Sequence, residues 1–280
     1  MTAVRVVCVT YRPGPELEEF AASLASAGGD VELVVVENGP DPGPAEAVAA
    51  RYGGRVVAAG ENLGYGRAAN LGAAGATQPW LVVANPDVVW HPGALAALLA
   101  AGESLPRAGS LGPVIHDPDG TVYPSARALP SLGAGTGHAL LGKVWPGNPW
   151  TRRYQRRQEP GAEPREAGWL SGACLLLRRE AFEAVGGFDP EYFMFFEDVD
   201  LGDRLGRAGW RNVYVPGARV THVGGVSWRD RPEPMIRAHH ASAARYLTGR
   251  YARWYQAPVR WAVRAGLAVR QALEVRAVRT

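Results

Sequence analysis

Strand-like apolar runs alternate with amphipathic helical stretches along the first third of this chain, and that alternation constrains the fold more than any other feature. Val4 to Thr10 reads as a strand and is followed by a helical stripe of Leu17, Phe20, Ala21 and Leu24. Strand Val31 to Val36, helix Ala45 to Arg51, a short strand at Val56-Val57, helix Tyr65 to Ala76 and strand Trp80 to Ala84 come next. Such an order predicts a parallel α/β sheet with right-handed crossovers. At 280 residues, the chain suits one large domain or a domain with an appendage.

The pattern restarts with an apolar run from Trp169 to Leu177, a helix from Arg179 to Val185 and a turn at Gly186-Gly187-Phe188-Asp189-Pro190. Asp198 to Arg207 reads as a helix with Gly209 just past its end. Asp117-Pro118-Asp119-Gly120 is a turn signal, and the Gly/Pro-rich stretch from Leu132 to Trp150, with the charged run to Glu166, reads as a mobile loop.

Three acidic elements stand out against this frame. Glu197, Asp198 and Asp200 crowd a helix start behind the aromatic run Tyr192 to Phe196, and three carboxylates beside so much apolar surface point to a base or a cation site. The positive end of the helix dipole favours their ionised forms. Asp87 follows the Trp80 to Ala84 strand through Asn85-Pro86, at a sheet rim where open α/β folds bind ligands. His222, after the apolar run from Val213 to Val220, is a candidate to complete an oxygen-rich metal site with Asp87. Each also has a plainer reading: Asp87 as a turn residue, Asp198 as an N-cap, His222 as a hydrogen-bonded structural histidine.

Cys8 and Cys174 lie in apolar runs with neither a disulfide framework nor a zinc spacing, so both read as buried thiols in a reducing compartment. No apolar run approaches the roughly 18 residues needed to span a bilayer, and the chain enters a strand pattern without a signal peptide. Net charge is +3, yet from Arg245 to Thr280 there are eight arginines against one acid, Glu274. These arginines alternate with Trp254, Trp261, Val263, Leu267 and Val269, so the stretches Pro234 to Leu247 and Ala257 to Leu273 read as amphipathic helices suited to anionic lipid. A packed helical cap with a solvated arginine face is the alternative. Nucleic acid is not expected, because no reader motif is present.

The order of the motifs resembles the family 2 inverting glycosyltransferases of the GT-A fold. The first strand ends Thr10-Tyr11-Arg12 and the second Glu37-Asn38-Gly39; Asn62-Leu63-Gly64-Tyr65-Gly66 with Asn70, then Asn85-Pro86-Asp87, follow. Trp169-Leu170-Ser171-Gly172-Ala173 resembles the family's glycine loop, Glu197-Asp198 its acidic motif and Thr221-His222 its late histidine, with coverage from Val4 to about Ser227. Within the family, the chain is most similar to the actinobacterial rhamnosyltransferases that act on decaprenyl-diphospho-N-acetylglucosamine. That likeness rests on Val83 to Val88, Asp117 to Gly120 with Val122 to Arg127, Asn148-Pro149-Trp150-Thr151 and Ala257 to Trp261. Glu37 stands where the family commonly has Asp, and Pro40 replaces a small hydroxyl residue.

The resemblance implies an α/β GT-A fold, Rossmann-like, in one domain with a mainly parallel sheet, plus C-terminal amphipathic helices. Residues 1–230 would form it, with a donor half 1–115 and an acceptor half 116–230, and 231–280 a basic helical extension. It implies Asp198 as catalytic base and Asp87 with His222 as ligands for Mg²⁺ or Mn²⁺. Thr10, Arg12, Glu37 and Asn38 would line the nucleoside pocket, with Asn62, Gly64, Asn70, Asn85 and Asp87 toward the diphosphate and sugar. Trp169, Gly172 and Glu197 would meet the acceptor. The implied partners are dTDP-rhamnose, a polyprenyl-diphospho-GlcNAc acceptor and the cytoplasmic face of the inner membrane, with the oligomeric state open. A non-catalytic nucleotide-sugar-binding module and a Rossmann dehydrogenase are the rivals. The acidic cluster argues against the first; the second would need spaced glycines where Thr10-Tyr11-Arg12-Pro13-Gly14 stands.

Overall fold

In a computed structural model of the chain, residues 3–130, 163–224 and 232–279 are described. Asn148-Pro149-Trp150-Thr151, Ser227 and nearly all of the expected loop from Leu132 lie outside them. The expected alternation is present. Strands β1 (Ala3–Thr10), β2 (Asp30–Glu37), β3 (Arg55–Ala58) and β4 (Trp80–Ala84) are separated by helices α1 (Glu16–Leu24), α2 (Gly43–Arg51) and α3 (Tyr65–Ala73). They pair in parallel in the order β3-β2-β1-β4, so Thr10, Glu37 and Ala84 end along one edge of the sheet.

Beyond β4 the sheet becomes mixed. After β5 (Val88–Trp90) and α4 (Ala94–Ser104) come β6 (Ala108–His116), the short β7 (Val122–Tyr123), β8 (Ala126–Arg127), β9 (Arg165–Ala167), β10 (Trp169–Leu170) and β11 (Cys174–Arg178). Helices α5 (Arg179–Ala184) and α6 (Glu197–Arg207) and strand β12 (Arg211–His222) complete the body. β11 inserts antiparallel between β4 and β6, β12 runs parallel to β6, and β5, β7 and β9 add antiparallel edges. Two expectations change here. The run Trp169 to Leu177 is two strands, because Ser171-Gly172-Ala173 turns between β10 and β11; Glu166, assigned to the mobile loop, lies in β9 against Val213. The sheet also continues without a break across the expected boundary at 115/116.

Successive side chains of a strand face opposite sides, and β1 divides accordingly. Val4, Val6 and Cys8 pack with Leu17 and Phe20 of α1 and Leu95 and Leu98 of α4, whereas Val7 and Val9 pack with Ala68 of α3, Phe182 of α5 and Leu201 of α6. Each buried Val, Leu or Phe among them contributes about 1.5–3 kcal/mol. Both cysteines are buried thiols, and burial pushes the Cys8 and Cys174 pKa values up.

The tail divides into α7 (Pro232–Arg250) and α8 (Ala257–Arg279). In α7 two arginines face the body, as the packed-cap alternative expects. Its Arg245 pairs with Asp189 at 3.2 Å, its Arg250 with Asp203 at 3.1 Å, and Ser242 Oγ donates to Met194 O at 2.9 Å. Tyr246 is buried with Tyr192 and Val199. α7 is therefore a brace on the body, while α8 packs on α7 and leaves Trp261 71% and Leu273 64% exposed. Among the described residues no helix is long and apolar enough to cross a membrane.

Candidate active site

The edge formed by the ends of β1 and β2 is organised around Glu37. This fully buried carboxylate accepts from Thr10 Oγ1 at 2.5 Å, Arg12 N at 3.0 Å and Gly39 N at 2.5 Å. Its extra methylene relative to Asp is thus spent on closing two turns, one of which holds Arg12 in the left-handed region at φ 53. Asn38 Nδ2 donates to Gly64 O at 3.0 Å and its Oδ1 accepts from Leu63 N at 3.1 Å, which ties β2 to the turn before α3. Asn62 shapes that turn by accepting from Gly64 N at 3.0 Å. Gly64 has φ 81, and a Cβ there would lie 2.1 Å from Phe193 O, so only glycine fits.

At the end of β4, Asn85, Asp87 and His222 meet. His222 Nε2 is 3.2 Å from Asp87 Oδ1 and 3.1 Å from Asn85 Nδ2, and Gly224 N donates to Asp87 Oδ2 at 2.9 Å. The pairing of His222 with Val88 across β12 and β5 is what brings these distant residues together. A carboxylate and an imidazole so placed fit Mg²⁺ or Mn²⁺. Among the described residues no cluster of three or more His, Cys, Asp or Glu side chains forms a cage. The other ligands would be phosphate oxygens and water, the usual arrangement for such cations in nucleotide sites.

The acidic motif faces the glycine loop. Asp198 lies in the first turn of α6, where its Oδ1 accepts from Val199 N at 2.8 Å and its Oδ2 from Gly172 N at 2.9 Å. Burial raises its pKa, and the two amides and the Arg127 guanidinium oppose that rise. Glu197 is 6% exposed, and its Oε2 has no hydrogen-bond partner among the described residues. Burial first, and the neighbouring Asp198 charge second, hold the Glu197 pKa far above the carboxylate range. Both carboxyls are thus held above their ordinary values, and the backbone amides and guanidinium that favour a charged form bear on Asp198. Asp200 is a structural partner, bonded to Arg204 Nε at 2.6 Å.

One three-residue loop joins both chemistries: Gly172 N holds Asp198, and Ala173 O accepts from Asn85 N at 2.9 Å. Trp169 beside it is half-buried, donates from Nε1 to Ala128 O at 3.2 Å and lies against Gly202 of α6. It packs against the buried cluster of Tyr192, Val199 and Tyr246.

Asn70 braces a neighbouring turn. Its Nδ2 donates to Phe188 O at 2.8 Å and its Oδ1 accepts from Phe188 N at 2.9 Å, so the amide is spent on the Gly186 to Pro190 turn. Two residues of the site went unassigned in the sequence. Arg127 sits over the rings of Tyr123 at 5.3 Å and Trp169 at 5.4 Å. Tyr65 Oη donates to Gly172 O at 2.5 Å. An aromatic inside a glycine turn, and an arginine among aromatics, were the available signals.

With this geometry in view, the similarities to known proteins are informative. The family described as "Glycosyltransferase like family 2" matches residues 2–257. Over 285 aligned residues the chain is 52% identical to an N-acetylglucosaminyl-diphospho-decaprenol L-rhamnosyltransferase of Mycobacterium tuberculosis, covering 97% of this chain and 92% of that protein. Two solved structures share the fold at 18% identity. GalNAc-T7 with UDP, GalNAc and Mn²⁺ matches with TM-score 0.59 over 79% of this chain and 44% of that one. A mannosyltransferase from Pyrobaculum calidifontis with GDP-Man and Mn²⁺ matches with TM-score 0.55 over 86% of this chain and 64% of that one. The chain spans less than two thirds of either structure. With a family match over most of its length and a relative at 52% identity, the chain belongs to glycosyltransferase family 2.

Proposed function

We propose that this glycosyltransferase moves L-rhamnose from dTDP-rhamnose to the N-acetylglucosamine of a polyprenyl diphosphate lipid, with inversion, at the cytoplasmic face of the plasma membrane. The observation that carries the chemistry is the Ser171 to Ala173 loop, which bonds Asp198 through one residue and the Asp87 strand end through the next. The choice of sugar and acceptor is supported by the 52% identity to the mycobacterial rhamnosyltransferase.

Asp198 takes the proton of an acceptor hydroxyl as its oxygen bonds to the anomeric carbon. The bond from that carbon to the diphosphate breaks on the opposite face, and its electron pair leaves with the nucleotide. No covalent enzyme intermediate forms. Asp87 and His222 would hold the divalent cation, which when bound offsets the charge of the departing diphosphate. Glu197, kept protonated, is a hydrogen-bond donor for an acceptor sugar, and Trp169 supplies an aromatic edge to the same region. The nucleoside end is set by the Glu37-centred turns.

Transfer of labelled sugar to synthetic prenyl-diphospho-GlcNAc from a panel of nucleotide sugars tests the reading. dTDP-rhamnose should give a rhamnosylated lipid; a lipid product from another donor with none from dTDP-rhamnose would make the donor assignment wrong. The membrane part rests on α8, where Trp261, Val269 and Leu273 are exposed beside Arg264, Arg270 and Arg276, with Trp254 exposed just before it. Trp261→Ser with Leu273→Ser should reduce sedimentation with anionic vesicles and slow transfer to a long-chain acceptor, while a short-chain soluble analogue reacts as before. Each basic residue near such a surface contributes about 1 kcal/mol, so salt should weaken the binding. Unchanged vesicle binding by that variant would refute the membrane role of α8.

A further inference from the structure

Tyr65 opens α3 directly after Gly64 and touches three separate parts of the site. Its backbone N donates to Phe193 O at 3.0 Å, its ring meets Phe188 edge-on at 6.3 Å, and its phenol donates to Gly172 O at 2.5 Å. The amide of the same Gly172 donates to Asp198 Oδ2 at 2.9 Å. A Cβ on Gly172 would lie 3.3 Å from Asp198 Cβ and 3.5 Å from the Tyr65 ring, so the three groups are stacked with little slack.

A carboxylate is oriented by the donors it accepts from, and Asp198 has one amide on each oxygen. Val199 N belongs to its own helix and is fixed by it. Gly172 N belongs to a short turn between β10 and β11, so its direction depends on what anchors that turn. The phenol is the side-chain anchor on the Gly172 carbonyl. We propose that Tyr65 is a positioning residue for the base: through Gly172 it fixes the plane of the Asp198 carboxylate and links that plane to the Asn62-Leu63-Gly64 turn. The inference rests on Asp198 being the base and goes beyond it by naming what aims it.

The charged and titratable groups facing Asp198 are Glu197 on its own helix, Arg127 from β8 and Tyr65 from α3. Donation from Gly172 N favours the Asp198 anion, so weakening it raises the base's pKa. Tyr65→Phe keeps the ring packing and removes the anchor.

In the full-length protein, Tyr65→Phe should lower kcat roughly 10- to 100-fold, with the donor KM within about twofold of wild type. The acidic limb of its kcat–pH profile should move up by roughly one unit. A merely structural phenol would leave that limb in place. Wild-type kcat with an unmoved limb, or a loss confined to donor KM, overturns the proposal. If Asp198→Asn instead turns over like wild type, the base assignment fails, a result distinct from either.

Discussion

The two sides of the candidate site treat a buried glutamate in opposite ways. On the rim made by β1 and β2, Glu37 is fully buried with three protein donors on its two oxygens. On the rim made by the Gly172 turn and α6, Glu197 is nearly as buried, yet its Oε2 has no partner among the described residues. A satisfied carboxylate shapes backbone and has nothing left to offer a substrate. An unpartnered one costs stability and is retained where a proton or a ligand hydroxyl is to be met. The first rim is thus closed by its own bonds, and the second keeps an unpartnered carboxyl oxygen, as the proposed proton transfer requires.

The comparison breaks most visibly at Asp198. Asp198→Asn keeps the shape and should keep donor affinity, yet turnover should fall about 10²–10⁴-fold, because the acceptor proton has no destination. Wild-type turnover in that variant would remove the proton-handling role from this rim. The next largest effect is expected at the strand end between the rims. Asp87→Ala should weaken cation-dependent donor binding roughly 10- to 100-fold and leave acceptor binding unchanged, with a chelator reproducing the effect on the wild type. Calorimetry giving equal donor affinity with and without the cation would leave Asp87 a turn residue.

The smallest effect sharpens the contrast in glutamates. Burial raises the Glu197 pKa, so this carboxyl favours the fold while protonated and loses that contribution as pH climbs through its raised value. Glu197→Gln, always neutral, should therefore gain steadily on the wild type as pH rises from the ordinary carboxyl range to about 8, the gap closing again toward about pH 4. Melting curves whose difference does not change with pH would place the proton elsewhere.

Much of the fold is legible in the sequence because its signals are local. Strand and helix periods fixed β1 to β4 with α1 to α3, and Asn85-Pro86-Asp87 and Glu197-Asp198 declared themselves as carboxylates at a strand end and a helix start. Strand β6 escaped notice because Gly109, Gly112 and Pro113 interrupt it. The structure tolerates Pro113 where β12 shifts register between Val215 and Arg219, so that a missing ladder donor is accommodated.

By itself, then, the sequence determined the order of elements, the chemistry available at each strand end and the family to which the chain belongs. Only the tertiary structure decided which of those groups remain available. Asp200 looks as suited to a ligand as Asp198, but Arg204 pairs with it, and the amides of Asn38 and Asn70 are both spent on distant backbone. α7 and α8 are both rich in arginine, but Asp189 and Asp203 claim Arg245 and Arg250 of α7 while Trp261 and Leu273 of α8 stay uncovered. Tyr65 reaches Gly172 across 107 positions. Hydrogen bonding and burial act through space over a few ångströms, and local sequence does not encode which distant backbone will arrive within that range.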